Sequence, residues 1–357
     1  MAPRALSQTN APRDNPTSSP HDRALWGPVV EELGAAGFRP VSFEPLAGDV
    51  SARRYARLRV ESGEQFVVCA YPDDMADVAS RFLSSTELLN SAGVPLPEVE
   101  RHSVSEPVWI LLEDLGPQTV FDRWEGGGLN PAALDRCLTE AVAHIGRIQL
   151  LSPDSVRALG SPPLDRDLLM AELDLTWERF LEPRGLVRNR TLAEQLRALC
   201  SAVCERLGSA VPVACHRDFM VRNLMLRASA RQGAEAEVVV TDHQDLRLGP
   251  PHYDLASLLN DSLTLSAGRR RRHLAVLGED VDEFALYNAA VAQRMLKIAG
   301  TFAHFAALGN DRHLPLIGPA LRRFFDALDA LPEGRELATR LRREWTALAG
   351  ETPGAPA

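Results

Sequence analysis

The stretch that most constrains this chain is Val213-Ala214-Cys215-His216-Arg217-Asp218-Phe219-Met220-Val221-Arg222-Asn223-Leu224-Met225-Leu226. Two short apolar runs bracket a polar loop. After a polar spacer comes a β-branched run, Glu237-Val238-Val239-Val240-Thr241, which ends in Asp242-His243-Gln244-Asp245. Such runs read as strands. If 224–226 pairs antiparallel with 237–241, the hairpin brings Asp242 beside Asn223. Any fold for this chain must therefore gather Asp218, Asn223 and Asp242 at one edge of a small hairpin.

Taken singly, these residues have plain structural readings. Asp218 can cap a helix, His216 can be a core histidine bonded to backbone, and Asn223 can be a turn residue. Together they suit phosphoryl transfer, which needs an aimed nucleophile and neutralised phosphate oxygens. One carboxylate, Asp218, would accept a hydroxyl proton. An amide and a carboxylate, Asn223 and Asp242, would hold Mg2+, a hard cation that takes oxygen ligands. The five-residue offset from Asp218 to Asn223 is that of kinase catalytic loops.

Bulk properties narrow the partners. The chain has 357 residues, 45% hydrophobic and 24% charged, an ordinary globular composition with room for two lobes. Its net charge of −9 argues against a nucleic-acid backbone as partner. No apolar run approaches the roughly 18 residues of a membrane span, so no membrane is expected and a cytoplasmic location follows by default. The five cysteines, Cys69, Cys137, Cys200, Cys204 and Cys215, include no CxxC pair and read as core residues in a reducing compartment.

Along the chain, residues 1–22 are rich in Pro, Ser, Asn and Thr and read as a disordered leader. A helix is expected over 24–36, then three antiparallel strands over 40–46, 54–60 and 65–70. The small-residue loop Ala47-Gly48-Asp49-Val50-Ser51 between the first two reads as a plain hairpin turn or as backbone N–H groups facing phosphates. A helix follows over 76–92, then the strand Val108-Trp109-Ile110-Leu111-Leu112 running into Glu113-Asp114-Leu115-Gly116. That segment reads as a hinge to which adenine can bond, or as an ordinary sheet edge. Beyond it the pattern is helical: a helix capped by Asn130-Pro131, others over 166–182 and 191–208, and after Asp242 further helices over 254–264, 279–307 and 316–330 and a last one ending near 349. The run of four arginines at 269–272 reads as a solvated helix end or an anion site.

The loop His216-Arg217-Asp218-Phe219-Met220-Val221-Arg222-Asn223 resembles the catalytic loop of the aminoglycoside phosphotransferase and choline kinase superfamily, relatives of protein kinases. Further segments are similar to a bacterial branch that phosphorylates N-acetylmuramate and N-acetylglucosamine at the anomeric 1-hydroxyl. They are 47–55, 111–116, Asp165-Arg166 with Leu168-Leu169 and Glu172-Leu173, 242–245, 249–261, and Gln293-Arg294 with Leu296-Lys297. The resemblance covers roughly 25–330. It implies an α+β, bilobal protein-kinase-like fold, with a small N-lobe of antiparallel sheet plus helix (23–114), a larger mainly helical C-lobe (115–350) and a frayed tail at 351–357. It implies ATP and Mg2+ as cofactors, Asp218 as base, Asn223 and Asp242 as metal ligands, and Glu113, Asp114 and Leu115 as the adenine hinge. Asp254, with His216, would brace the catalytic loop. The product would feed a sugar-phosphate nucleotidyltransferase in cell-wall recycling.

Two departures from the kinase pattern stand out. The third strand, Phe66-Val67-Val68-Cys69-Ala70, carries no lysine for the phosphates. Arg54, or failing that Arg53, would replace it, since Arg54 shares parity with Ala56, Leu58 and Val60; it reads equally as a surface strand arginine. Together with Gly48, Asp49 and Ser51 these form the expected nucleotide set. After Asp261 the chain reads Ser262-Leu263-Thr264-Leu265-Ser266, where the sugar-kinase branch has an aromatic-containing segment, so the acceptor can differ. Glu172, Asp245, Asp261, Arg294 and Lys297 are the candidate acceptor contacts, with Trp177 beside them; each also reads as an ordinary packing or helix-surface residue. Two alternatives to an amino-sugar kinase stand: a phosphotransferase acting on a cationic aminoglycoside, and a catalytically weak nucleotide-binding scaffold.

Overall fold

The computed structural model describes residues 20–46, 52–228, 235–278 and 280–351. The expected leader up to 19, the loop 47–51 with Gly48, Asp49 and Ser51, and the tail after 351 lie outside the described residues. The chain forms two compact units. One contains the residues up to Ser80 and Glu98–Asp114; the other contains Arg81–Pro97 and everything from Leu115 onward.

In the first unit, helix α1 (Pro20–Ala35) starts at a proline and so takes in three residues expected in the leader. Strands β1 (Pro40–Leu46), β2 (Arg54–Val60) and β3 (Gln65–Ala70) follow, then β4 (Val99–Ser103) and β5 (Trp109–Glu113), while helix α2 (Ala76–Ser91) begins in this unit and passes into the second at Arg81. The strands make one antiparallel sheet in the order β1-β2-β3-β5-β4. Alternation places Ala56, Leu58 and Val60 of β2 inward, with Val68, Trp109 and Leu111. Trp26, Val29 and Leu33 of α1 pack on this face. Each large apolar side chain so buried contributes about 1.5–3 kcal/mol. The Trp109 indole donates to Glu32 Oε2 at 2.7 Å, pinning α1 to β5. Strand β4, with three exposed residues in five, carries no apolar signal from which it can be read.

The segment Arg81–Pro97, expected with the N-lobe, belongs to the second unit. Leu89, Val94 and Leu96 enter that unit's core. His243 donates through Nε2 to Thr86 Oγ1 at 2.7 Å, because that hydroxyl already donates to Phe82 O. Val240 N donates to Pro95 O at 2.9 Å.

The second unit is mainly helical, with α3 (Val120–Glu125), α4 (Pro131–Gln149), α5 (Pro153–Arg157), α6 (Arg166–Thr176) and α7 (Arg190–Gly208) before its strands. Asn130 caps α4 by accepting from Ala133 N at 2.8 Å. Strands β6 (Val213–Cys215), β7 (Leu224–Arg227), β8 (Glu237–Val240) and β9 (Arg247–Gly249) pair as β6-β9 and β7-β8. Helices α8 (Tyr253–Asn260), α9 (Ala267–Leu274), α10 (Val281–Ala307), α11 (Ile317–Ala330) and α12 (Arg335–Glu351) complete it. The fold class is thus α+β. The last helix reaches Glu351, two residues beyond its expected end and into the segment expected to fray. The arginine run lies within α9, where Arg269 and Arg272 grip Asp135 of α4 at 2.8 and 2.9 Å, so it is a helix-to-helix clamp as well as a charged face. All five cysteines are buried and none is in a disulfide; burial pushes the Cys200 and Cys204 thiols up to about 12. Among the described residues no helix is long and apolar enough to cross a membrane.

Candidate active site

The loop 216–223 hangs between two strand pairs. On one side Cys215 of β6 pairs with Arg247 of β9. On the other, Leu224 of β7 pairs with Val240 of β8, and Thr241 donates to Asn223 O through N and Oγ1 at 2.9 and 3.0 Å. The β-branched density of 238–240 makes this hairpin, and it sets Asp242 next to Asn223.

The loop backbone is held by Asp254, which is fully buried at the start of α8. Its two oxygens accept from His216 N at 2.7 Å and Arg217 N at 2.8 Å. Burial pushes its pKa up, against the pull of the His216 ring and these two N–H groups. Those bonds stabilise the left-handed backbone of Arg217, at φ 76°. His216 is buried, and its Nε2 must carry the proton because it donates to Thr241 O at 3.1 Å. His216 thus joins the loop to the turn that carries Asp242, whose own φ is 63°.

Asp218 is 31% exposed, and its Oδ1 accepts from Arg294 Nη2 at 3.2 Å. Among the described residues none donates to its Oδ2. Burial opposes ionisation of this carboxyl, but the charges of Arg294, Lys297 and Arg217 outweigh it and hold Asp218 well below the usual carboxylate range. Asn223 Nδ2 donates to Asp218 O at 2.9 Å and approaches Asp242 Oδ2 at 3.5 Å. Gln244 donates to Asp242 Oδ1 at 3.0 Å.

Around this point lies a balanced ion network of Glu172, Asp218, Asp245 and Asp261 with Arg217, Arg247, Arg294 and Lys297. Arg217 bridges Asp245 and Glu172, the latter at 2.7 Å, and Arg247 also holds Asp245. Glu172 further accepts from Gln293 at 3.1 Å and lies 3.8 Å from Lys297 Nζ. Burial raises the Glu172 pKa, yet Lys297 and Arg217 bring it below its ordinary value. Arg294 takes Asp261 Oδ2 through Nε at 2.8 Å and Nη2 at 2.5 Å. Five expected acceptor contacts are thus brought together, and the side chains of Arg294 and Asp261, 1% and 4% exposed, are the two most enclosed. The burial of Arg294 is hinted at in the sequence: it sits in Ala289-Ala290-Val291-Ala292-Gln293-Arg294-Met295-Leu296, where a charge needs a buried partner.

The other expected residues are divided between the two units. Arg53, Arg54, Glu113 and Asp114 belong to the first unit, and Leu115 opens the second. Arg54 is exposed, its Nη1 donating to Ala52 O and Arg53 O at 3.3 and 3.2 Å. Its parity is inward, but it is the first residue of β2, beyond the edge of the apolar core. Arg53 lies 5.9 Å from the Tyr55 ring centre. Arg57 of the same strand, of opposite parity, grips Asp114 through two bonds of 2.6 and 3.1 Å. Glu113 Oε2 accepts from Glu98 N at 3.2 Å. Trp177 is covered by Arg197, 5.2 Å from its ring centre. The segment after Asp261 is packed: Leu263 and Leu265 are buried, and Arg323 donates to Leu263 O. A cavity of about 320 Å³ between Leu164, Gly208, Leu248 and Pro250 lacks Asp218, Asn223 and Asp242 from its walls.

Among the described residues no three His, Cys, Asp or Glu side chains are grouped to hold a metal. Asn223 and Asp242 offer two oxygen donors. That set fits magnesium, which takes one or two protein oxygens and completes its shell with phosphate and water. With Nδ2 of Asn223 committed to Asp218 O, the amide oxygen is the atom left to bind.

A model of the phosphotransferase enzyme family matches residues 42–287. An N-acetylmuramate/N-acetylglucosamine kinase of Neisseria meningitidis is 30% identical over 289 residues, covering 76% of this chain and 81% of that protein. A protein of the same name from Pseudomonas aeruginosa is 28% identical over 319 residues, 85% of this chain and 88% of its own. Among solved structures, the GDP complex of an aminoglycoside 2'-phosphotransferase superposes with a TM-score of 0.60 at 15% identity, over 84% of this chain and 96% of that one.

Proposed function

The chain belongs to the phosphotransferase enzyme family, and from that premise we propose that it transfers the γ-phosphoryl group of ATP to the anomeric 1-hydroxyl of an amino sugar, N-acetylmuramate or N-acetylglucosamine. The observation that carries the chemistry is the meeting of Asp218, Asn223 and Asp242 on one braced loop and its neighbouring turn. The sugar rests on the two relatives of that name, similar to this chain over most of its length.

In this reading the acceptor oxygen attacks the γ-phosphorus, the bond to the β–γ bridging oxygen breaks, and ADP leaves. The hydroxyl proton passes to Oδ2 of Asp218. Because Asp218 is held ionised, it is ready to accept that proton at neutral pH. Asn223 Oδ1 and the Asp242 carboxylate would hold magnesium, which when bound supplies positive charge to the phosphate oxygens. Glu172 and Lys297, 10% and 17% exposed, are the ion-network members we assign to the acceptor's hydroxyl, amide or carboxylate groups. The sugar 1-phosphate so formed is the substrate class a nucleotidyltransferase consumes.

The test is ADP release from ATP and magnesium with a panel of N-acetylmuramate, N-acetylglucosamine, N-acetylgalactosamine and kanamycin. Turnover confined to the N-acetylated sugars supports the reading. Turnover on kanamycin alone moves the acceptor to aminoglycosides, and none on any acceptor favours a nucleotide-binding scaffold.

A further inference from the structure

Arg294 is the largest of the fully buried side chains among the described residues, and all three nitrogens of its guanidinium donate hydrogen bonds. It donates through Nη1 to Arg217 O at 2.7 Å, through Nη2 to Asp218 Oδ1 at 3.2 Å, and through Nε and Nη2 to Asp261 Oδ2. One face lies over the Tyr253 ring, 5.3 Å from its centre. Asp261 is 4% exposed; Ser257 Oγ adds a 3.0 Å bond to its Oδ2, while its Oδ1 is buried without a partner. The guanidinium is therefore anchored from behind by Asp261 and Tyr253, and presents a rigid fork to the loop.

We propose that Arg294 is a positioning residue that fixes which oxygen of Asp218 faces the acceptor, with Asp261 as its anchor. The proposal rests on the assignment of Asp218 as the base. A carboxylate at the end of a short side chain has a soft, roughly two-fold terminal torsion. Among the described residues Arg294 is the side chain that donates to the Asp218 carboxylate. It captures Oδ1 and the carbonyl of the preceding residue at once, so the carboxylate plane is set against the backbone that carries it. Oδ2 is left for the hydroxyl. A planar fork can hold two such acceptors in a fixed relation, whereas an ammonium is a point charge without that geometry. Asp261 matters because a guanidinium with one carboxylate partner would follow Asp218 as it moved. Shared with a second, immobile carboxylate, it stays in place.

The test uses the full chain and three variants. Arg294→Lys keeps the charge and loses the fork. Arg294→Met removes both. The double variant Arg294→Met with Asp261→Leu removes the buried pair together, so that no orphan charge is left to unfold the protein. Folding is checked by thermal melting, and Mg·ADP binding by calorimetry. The expected result for Arg294→Lys and the double variant is a kcat lower by about 10- to 100-fold, with the KM for ATP within about 2-fold of the parent, as for a misaimed catalytic group. Crystal structures of both should show the Asp218 carboxylate rotated about its terminal torsion. A purely structural role would instead lower stability while leaving kcat per folded molecule and the Asp218 rotamer unchanged, and that outcome overturns the proposal. If the parent turns over no acceptor while Asp218 rotates in the variants, the positioning role stands and the kinase reading fails. If Asp218 keeps its rotamer in both variants, the positioning role fails whatever the acceptor.

Discussion

Gly300 of α10 lies so close to Thr176 of α6 that a Cβ built on it would stand 2.3 Å from Thr176 Oγ1 and 2.6 Å from its Cα. The two helices carry opposite sides of the ion network: Glu172 is one turn before Thr176, and Arg294 and Lys297 precede Gly300. Thr176 is fully enclosed and its hydroxyl donates to Glu172 O at 3.1 Å, so it cannot swing away. The close crossing that only glycine permits thus sets the distance between Glu172 and Lys297.

Gly300→Ala should therefore destabilise the protein by about 1–3 kcal/mol, the usual cost of an added carbon in a packed core. Gly268, in the exposed α9 with nothing within 4 Å of its Cβ position, is the control. There alanine should be neutral or stabilising by about 0.4–1 kcal/mol, since it restricts the unfolded chain. Urea denaturation of the two variants checks both. Equal midpoints would mean that α10 can shift without cost.

Asp218→Asn should leave folding and nucleotide binding intact and lower turnover by about 10²- to 10⁴-fold, the range of a general base. The amide can still accept from Arg294 but cannot take a proton from a hydroxyl. Steady-state kinetics with the accepted sugar, beside Mg·ADP calorimetry, separates the two effects. Undiminished turnover would remove Asp218 from the chemistry.

The local machinery is the part legible in sequence, and the long-range pairings are not. The hairpin that sets Asp242 beside Asn223 follows from a β-branched run and a spacer, both short-range signals. The cap at Asn130 and the cysteines as core residues are of the same kind. Arg54 shares the inward parity yet is exposed, because strand parity reports burial only over the length that the core covers and Arg54 stands at its end. Arg57 and Asp114 meet through the β2-β3-β5 register, 57 positions apart, which no local pattern reveals. The placement of Arg81–Pro97 in the second unit likewise rests on distant partners, His243 and Val240. The apolar run around Arg294 hints at its burial, but its partners Asp261 and Asp218 lie 33 and 76 positions away, which no local pattern reveals.

Acid should weaken the ion network through Glu172. Its folded pKa is lowered, so its ionised form is favoured by folding. The stability it adds is complete above its unfolded pKa of about 4.3 and is lost as the pH falls through the lower folded value. Glu172→Gln lacks that contribution at every pH. Parent and variant should differ most in urea midpoint at neutral pH and begin to converge as the pH falls below the unfolded value of about 4.3. A gap that persists unchanged at pH 3 would mean that packing, not charge, accounts for the residue.

The last expectation separates two arginines on one strand. Arg57 is committed to Asp114, whose side chain is 5% exposed, so Arg57→Ala takes a two-bond cationic partner from a buried carboxylate. The loss should be about 1.5–3 kcal/mol, the range for a hydrogen bond to a charged group. Arg54 is exposed at the end of its strand, so Arg54→Ala should change stability by less than about 0.5 kcal/mol. If Arg54 supplies the cation that the third strand lacks, the same variant should raise the KM for ATP, while Arg57→Ala should leave it near the parent value. The reverse pattern, with stability tracking Arg54 and ATP affinity tracking Arg57, would transfer the phosphate-facing role to the Arg57–Asp114 pair. The two substitutions lie on opposite faces of β2, so melting curves and ATP titrations on both assign that role to one face or the other.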